Sequence, residues 1–150
     1  MTVTDKEEQR RPKKPRYILD EQVGFILRQV SQRHGAIFSQ FIGDDLTPTQ
    51  WAALAKLAET GSCSQNQLGR LTAMDVATIK GVVDRLTRRG LIGTEADPTD
   101  GRRLLVTLTD EGRAVVARAE VAALEITRET LAPLSPDEQA VFLHLLKRLL

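Results

Sequence analysis

The stretch Asp97–Gly112 reads DPTDGRRLLVTLTDEG. Asp97, Pro98, Asp100 and Gly101 are turn formers, and two adjacent arginines follow them. Val106 and Leu108 then alternate with Thr107, as in a strand with one face on a core. Thr109, Asp110 and Glu111 start a helix. The run LIGTEA before the turn and RLLVTL after it make a hairpin with a charged tip.

Working back from the hairpin, VATIKGVVDRLTRRG reads as a helix capped by Asp75 and closed by Gly90. Its apolar face is Ile79, Val82, Val83 and Leu86. Its other face shows Ala77, Thr78, Lys80, Gly81, Asp84, Arg85 and Arg88. A short helix, SQNQLGRL, precedes it, with Ser64 and Gln67 as a capping box. Before that, Thr47, Pro48 and Gln50 start a helix whose buried side is Trp51, Leu54 and Leu57/Ala58. Helix, short helix, turn, helix and hairpin make a helix-turn-helix followed by a wing. The fold class is therefore mainly α with a small β-hairpin wing.

The flanks are helical too. From Tyr17 to about Gly43, Val23, Ile26, Leu27, Val30, Ile37, Phe38 and Phe41 recur at helical spacing. The helix from Thr109 runs to about Leu131, and SPDE then caps a last helix ending VFLHLLKRLL. Val141, Phe142, Leu143, Leu145, Leu146, Leu149 and Leu150 cover more than one stripe of it. A terminal helix apolar on several sides is most simply covered by a second chain. The organisation expected is a basic arm at 1–16, a dimerisation helix at 17–46, a winged helix-turn-helix at 47–108 and C-terminal dimerisation helices at 109–150.

Net charge is +1, but it is unevenly spread. Residues 1–16 carry +3 and residues 64–103 carry +2, while the remaining two segments each carry −2. Basicity thus collects in the arm and in the segment holding the turn, as a polyanion partner requires. In the second helix of a helix-turn-helix, Thr78 offers a hydroxyl, Lys80 and Arg85 offer donors, and Ala77 and Gly81 allow close approach to a groove wall. Arg102 at the wing tip suits the negative potential of a narrow groove, with Asp100 placed to hold its guanidinium. The candidate DNA contacts are Ser64, Gln65, Ala77, Thr78, Lys80, Gly81, Arg85, Arg88, Asp100, Arg102 and Arg103.

SQNQLGRL, DVATIKGVVDRLTRRGLI and above all DPTDGRRLLVTLTDEG resemble the MarR family of winged-helix transcription regulators, over roughly Tyr17 to Leu150. The wing pattern falls on Asp100, Arg102, Leu108, Thr109 and Gly112; Gly101 stands where a basic residue is common. The resemblance implies an obligate homodimer with intertwined terminal helices, a palindromic operator in double-stranded DNA, usually repression, and release by a small effector. YILDEQVGFILRQVSQRHGAIF with LTPTQWAALAKL is similar to regulators of aromatic-acid breakdown, which implies an aromatic carboxylate or its CoA thioester as effector. The candidate ligand residues are Arg28, His34, Phe38 and Trp51, with the alternatives that His34 is a hydrogen-bonded structural residue and Trp51 plain core. In the arm, Lys13, Lys14 and Arg16 could meet CoA phosphates or DNA.

Other readings stand beside this one. Cys63, the single cysteine, raises a thiol-based redox sensor, although it has no resolving partner. A winged helix can also serve as a protein-interaction module without binding DNA. The two histidines, His34 and His144, show no metal-ligand spacing, and no phosphate loop or nucleophile–base set appears, so neither an enzyme nor a cofactor is expected. With no signal-peptide pattern and no apolar run long enough to span a bilayer, no membrane contact and a cytoplasmic location are expected.

Overall fold

Helix caps punctuate the chain where the sequence places them. The computed structural model describes residues 14–150, so most of the basic arm lies outside the described residues. The elements are α1 (Val23–Phe41), α2 (Pro48–Thr60), α3 (Gln65–Leu71), α4 (Val76–Arg88), β1 (Ile92–Ala96), β2 (Leu104–Leu108), α5 (Asp110–Leu131) and α6 (Pro136–Lys147). The described residues fall into two units divided between Gln32 and Arg33, within α1. In the first unit, the helix expected from Tyr17 begins later. Leu19–Glu21 form a single 3-10 turn, and extended Gln22 breaks the path before Val23. Gln22 Nε2 donates to the Ile18 carbonyl at 2.8 Å, which closes that turn.

The second unit holds the core. α2 starts with the full capping box: Gln50 N donates to Thr47 Oγ1 at 3.2 Å and Thr47 N donates to Gln50 Oε1 at 3.3 Å. The reciprocal box recurs at Ser135 and Glu138 of α6. At α3, half of the expected box forms: Ser64 Oγ accepts from Gln67 N at 3.2 Å, and no return bond from the Gln67 side chain accompanies it. The buried side of α2 is Gln50, Ala53, Leu54 and Leu57, with Trp51 half-buried and Ala58 exposed, a rotation from the expected stripe.

α3 and α4 meet closely because Gly69 has no side chain. A Cβ there would lie 3.1 Å from Ile79 Cγ2 and 3.2 Å from the Met74 carbonyl. Ile79, Val82, Val83 and Leu86 are all buried, as the apolar face of α4 requires. They join Leu54 and Leu68 in the core, where each such side chain contributes about 1.5–3 kcal/mol.

β1 and β2 pair antiparallel, from Ile92 opposite Leu108 to Ala96 opposite Leu104. Buried Cys63 adds a bridge on the other side of β2: Val106 N donates to its carbonyl at 2.7 Å. No sequence signal marked this third partner.

The start of α5 is pressed against the end of α4. Thr109 Oγ1 donates to the Gly90 carbonyl at 2.7 Å, and Thr109 N donates to the Leu91 carbonyl at 3.1 Å. Thr109 Oγ1 also accepts from Gly112 N at 3.0 Å, capping α5. A Cβ on Gly112 would lie 1.9 Å from the Leu91 carbonyl oxygen, a distance no local adjustment relieves.

The connection from α1 to α2 is unusual. Gly43, Asp44 and Asp45 take φ of 71°, 52° and 50°, three left-handed residues in a row. For the two aspartates this conformation costs on the order of 1 kcal/mol each, so the surroundings must enforce it.

Gly112→Ala is expected to destabilise the protein by more than about 3 kcal/mol or to abolish folding, because the clash is with backbone. Thermal or urea unfolding of the purified variant measures this; a variant as stable as the parent would refute the close approach.

Candidate nucleic-acid interface

α4 presents one buried and one solvent face. Its N-terminus is capped by Asp75, whose Oδ1 accepts from Thr78 N at 2.7 Å. The hydrogen bonds from Thr78 hold the Asp75 carboxyl below its ordinary value. Ala77, Thr78 and Lys80 are exposed on the first turns. Lys80 Nζ lies 2.9 Å from Asp84 Oδ2, an exposed pair that contributes little and exchanges readily for another anion. Gly81 is half-exposed, and no neighbouring helix presses on it. The nearest atom to a Cβ there is Arg85 Nη1 at 3.6 Å, so the guanidinium lies over the gap. Arg88 Nε donates to the Asp84 carbonyl at 3.3 Å. Ser64 and Gln65, at the start of α3, are half-buried.

The wing tip is ordered by its acids. Asp97 Oδ1 accepts from Thr99 N at 2.9 Å and from Thr99 Oγ1 at 2.8 Å. Asp97 N donates to the Arg103 carbonyl and Arg103 N to the Asp100 carbonyl, each at 3.0 Å. Asp100 Oδ1 accepts from the Arg102 backbone N–H at 3.1 Å. The expected grip of Asp100 on the Arg102 guanidinium is therefore corrected: the short aspartate satisfies the turn's backbone instead. The hydrogen bonds from Thr99, and then the Arg103 charge, hold Asp97 below its ordinary value. Arg102 is exposed, and its guanidinium has no hydrogen bond or ion pair among the described residues.

Two contacts that shape this region escaped the sequence reading. Arg89, the C-cap of α4, turns away from the exposed face toward the α1–α2 turn. Thr109 ties the wing's return strand to Gly90. The RRG ending of α4 was visible, but nothing in it tells which arginine faces out.

The ligand candidates are not gathered into one cavity. Phe38 is buried in the core, and half-buried Trp51 packs on the same cluster. Trp51 also lines a cavity of about 370 Å³ with Ala55, Ala58, Glu59, Val116 and Glu120. His34 is exposed, and its Nδ1 lies 2.9 Å from Thr130 Oγ1. Thr130 Oγ1 donates to the Ile126 carbonyl at 2.8 Å, so the His34 ring N–H is the donor in that pair. Arg33 beside it donates to the carbonyls of Glu129 and Thr130, and both residues thus fasten the end of α5. Arg28 is exposed in the first unit.

Cys63 is buried, and burial pushes its thiol above the ordinary value. An oxidant sensor needs an accessible thiolate, so the redox alternative loses its chemical basis.

A profile described as the MarR family matches residues 44–103, from the α1–α2 turn to the wing tip. The transcriptional repressor NicR of Pseudomonas putida, of helix-turn-helix type, is 38% identical over 135 residues, covering 89% of this chain and 85% of NicR. The chain belongs to the MarR family of transcriptional regulators. A probable transcriptional regulator from Pseudomonas aeruginosa shares this MarR architecture at 62% identity and a TM-score of 0.86, covering 89% of this chain and all of that one. BpsR of Bordetella bronchiseptica, whose DNA binding is regulated by 6-hydroxynicotinic acid, is 41% identical with a TM-score of 0.85, covering 90% of this chain and 97% of BpsR. The expected fold class, mainly α with a two-stranded wing, is that of these MarR structures. No helix among the described residues is long and apolar enough to cross a membrane.

Removing the α4 cap with Asp75→Ala is expected to lower the melting temperature by several degrees at neutral pH. The folded-state value lies below the ordinary 3.8, so the cap's contribution is present above 3.8 and lost as pH falls through the depressed value. The gap between parent and variant should therefore close on acidification. A gap that stays constant in melts from neutral to acid pH would show that the ionised carboxylate does not cap.

Proposed function

We propose that this chain is a homodimeric repressor that binds a pseudo-palindromic operator and is released by a small aromatic acid. The observation that carries the DNA-reading part is the solvent face of α4. It presents Ala77, Thr78, Lys80, Gly81, Arg85 and Arg88 on one surface, next to a wing whose Arg102 guanidinium has no partner among the described residues. In this reading α4 enters the major groove, with Ser64 and Gln65 at the adjoining backbone. Arg102 probes the groove beside it, and Arg103 meets phosphate. Asp100 shapes the loop that presents Arg102.

Residues 47–108 then form the reading head, and 17–46 with 109–150 supply the dimer contacts. What supports dimerisation is unpartnered apolar surface. Among the described residues α6 has none buried, and Val141, Leu145 and Leu149 stand 57%, 49% and 71% exposed. In the first unit Val23, Ile26, Leu27 and Val30 are exposed as well. Apolar surface on this scale marks an association face, and a second copy covers it with the same residues.

The effector reading rests on BpsR and on NicR, one regulated by 6-hydroxynicotinic acid and the other a repressor. A small ring would rest on Trp51 in its cavity, with Phe38 behind it in the core. Glu59 and Glu120 line that cavity, so the acid group would need a cation. Within this unit His34 is the candidate for that task. Neither relative speaks for a CoA thioester over a free acid.

Arg102→Ala is expected to weaken binding to a duplex selected by the parent from a random pool by roughly ten-fold or more, with the dimer unchanged in sedimentation. Parent-like binding would remove the wing from the interface. A thermal-shift series with 6-hydroxynicotinic acid, hydroxybenzoates, hydroxycinnamates and their CoA thioesters should raise the melting temperature for the true effector class. A flat response across the series would overturn the aromatic effector.

A further inference from the structure

The geometry points to Arg89 as a positioning residue for the DNA-reading helix, acting through the left-handed turn at Gly43–Asp45 and not on DNA itself. Arg89 is the C-cap of α4, and its guanidinium reaches back to the α1–α2 connection. Nη2 donates to the Asp44 carbonyl. Nη1 faces the Asp45 carbonyl at 3.5 Å and Gln50 Oε1 at 3.3 Å. Gln50 is the buried polar side chain of the core region, and its Oε1 also receives the Thr47 N–H. One guanidinium thus binds the turn and the cap of α2 together.

α5 holds the same turn from another side. Arg118 Nη2 lies 3.2 Å from Asp44 Oδ1, and Arg118 Nε lies 3.4 Å from Asp44 Oδ2. Three consecutive left-handed residues persist only where surrounding contacts over-determine them. Arg89 and Arg118 supply those contacts. The end of α4 is consequently fastened to the turn that leaves α1 and, through Asp44, to α5. Displacement of that turn would be transmitted to the pitch of the reading helix.

The rival role is a phosphate contact, since Arg89 lines an open cavity of about 380 Å³ with Arg85, Arg88, Asp45 and Gln50. Geometry favours positioning: both Nη atoms of Arg89 are already directed at oxygens of the chain, whereas Arg85 lies over Gly81 on the outward face. A clamp also requires the planar fork of arginine, which lysine lacks. A phosphate contact requires mainly charge.

The inference rests on the DNA-binding reading of α4, and the two are separable by experiment. Arg89→Ala and Arg89→Lys are compared with the parent by hydrogen exchange without DNA and by affinity for the selected duplex across a salt series. Both variants are expected to speed exchange at Leu46 and at Gly90–Leu91, to remain dimeric, and to bind about ten-fold more weakly with an unchanged salt slope. Asp45→Gly, which relaxes the turn, should recover more affinity in the Arg89→Ala background than in the parent. Recovery by lysine, with a salt slope reduced by about one in the alanine variant, would make Arg89 a phosphate contact. Unchanged exchange in both variants would remove the clamp. If the parent selects no duplex, the DNA reading fails, and exchange alone decides whether the clamp exists. If Arg89→Ala does not fold, Arg89→Lys carries the same measurements.

Discussion

The backbone contact between α5 and the end of α4 organises the rest of the molecule. Gly112 must lack a side chain because the Leu91 carbonyl occupies the space where a Cβ would stand. Thr109 makes the same junction polar and directional, donating to Gly90 and capping α5 with one hydroxyl. The wing is thereby held at both roots: β1 leaves directly from the α4 terminus, and β2 returns into the Thr109 cap. A hairpin of five residues per strand would not be stable alone, so its placement comes from this junction and from the Cys63 bridge.

The outward surfaces then divide by chemistry. The solvent face of α4 and the wing tip are polar and locally basic, while α6 and the exposed stripe of α1 are apolar. A polyanion suits the first kind of surface and a second copy of the chain the second. The Lys80–Asp84 pair on α4 is exposed, so Lys80 can exchange its intrachain neighbour for another anion at small cost. The core runs from Phe38 of α1 through Leu54, Leu68, Ile79 and Leu86 to Val115 and Ile126 of α5.

Much of this was legible in the residues. Period-3.6 spacing in α4 identified its four buried positions, and turn chemistry identified the wing tip. Caps at Thr47, Asp75, Thr109 and Ser135 fixed helix starts, because a side-chain oxygen next to unpaired N–H groups has one dominant use. Errors arose where several local solutions were equally good. Trp51 matched a helical stripe, yet α2 is rotated so that Ala53 and Gln50 go inward. Tyr17–Gln22 carry helix-compatible residues, yet the chain makes a 3-10 turn there. Asp100 had a guanidinium and a backbone N–H within reach, and it took the N–H.

Sequence alone determined the order and type of the elements, the apolar face of α4, the charged wing tip and the family resemblance. All of these depend on neighbours a few residues apart, where spacing and cap chemistry are sufficient. Tertiary structure decided which arginine of the Arg88–Arg89 pair turns inward, why position 112 admits only glycine, and that Cys63 is buried with its backbone paired to Val106. Those outcomes depend on carbonyls and side chains 20 to 45 residues away. Local periodicity carries no record of such distant partners, so only the packed chain could choose among them.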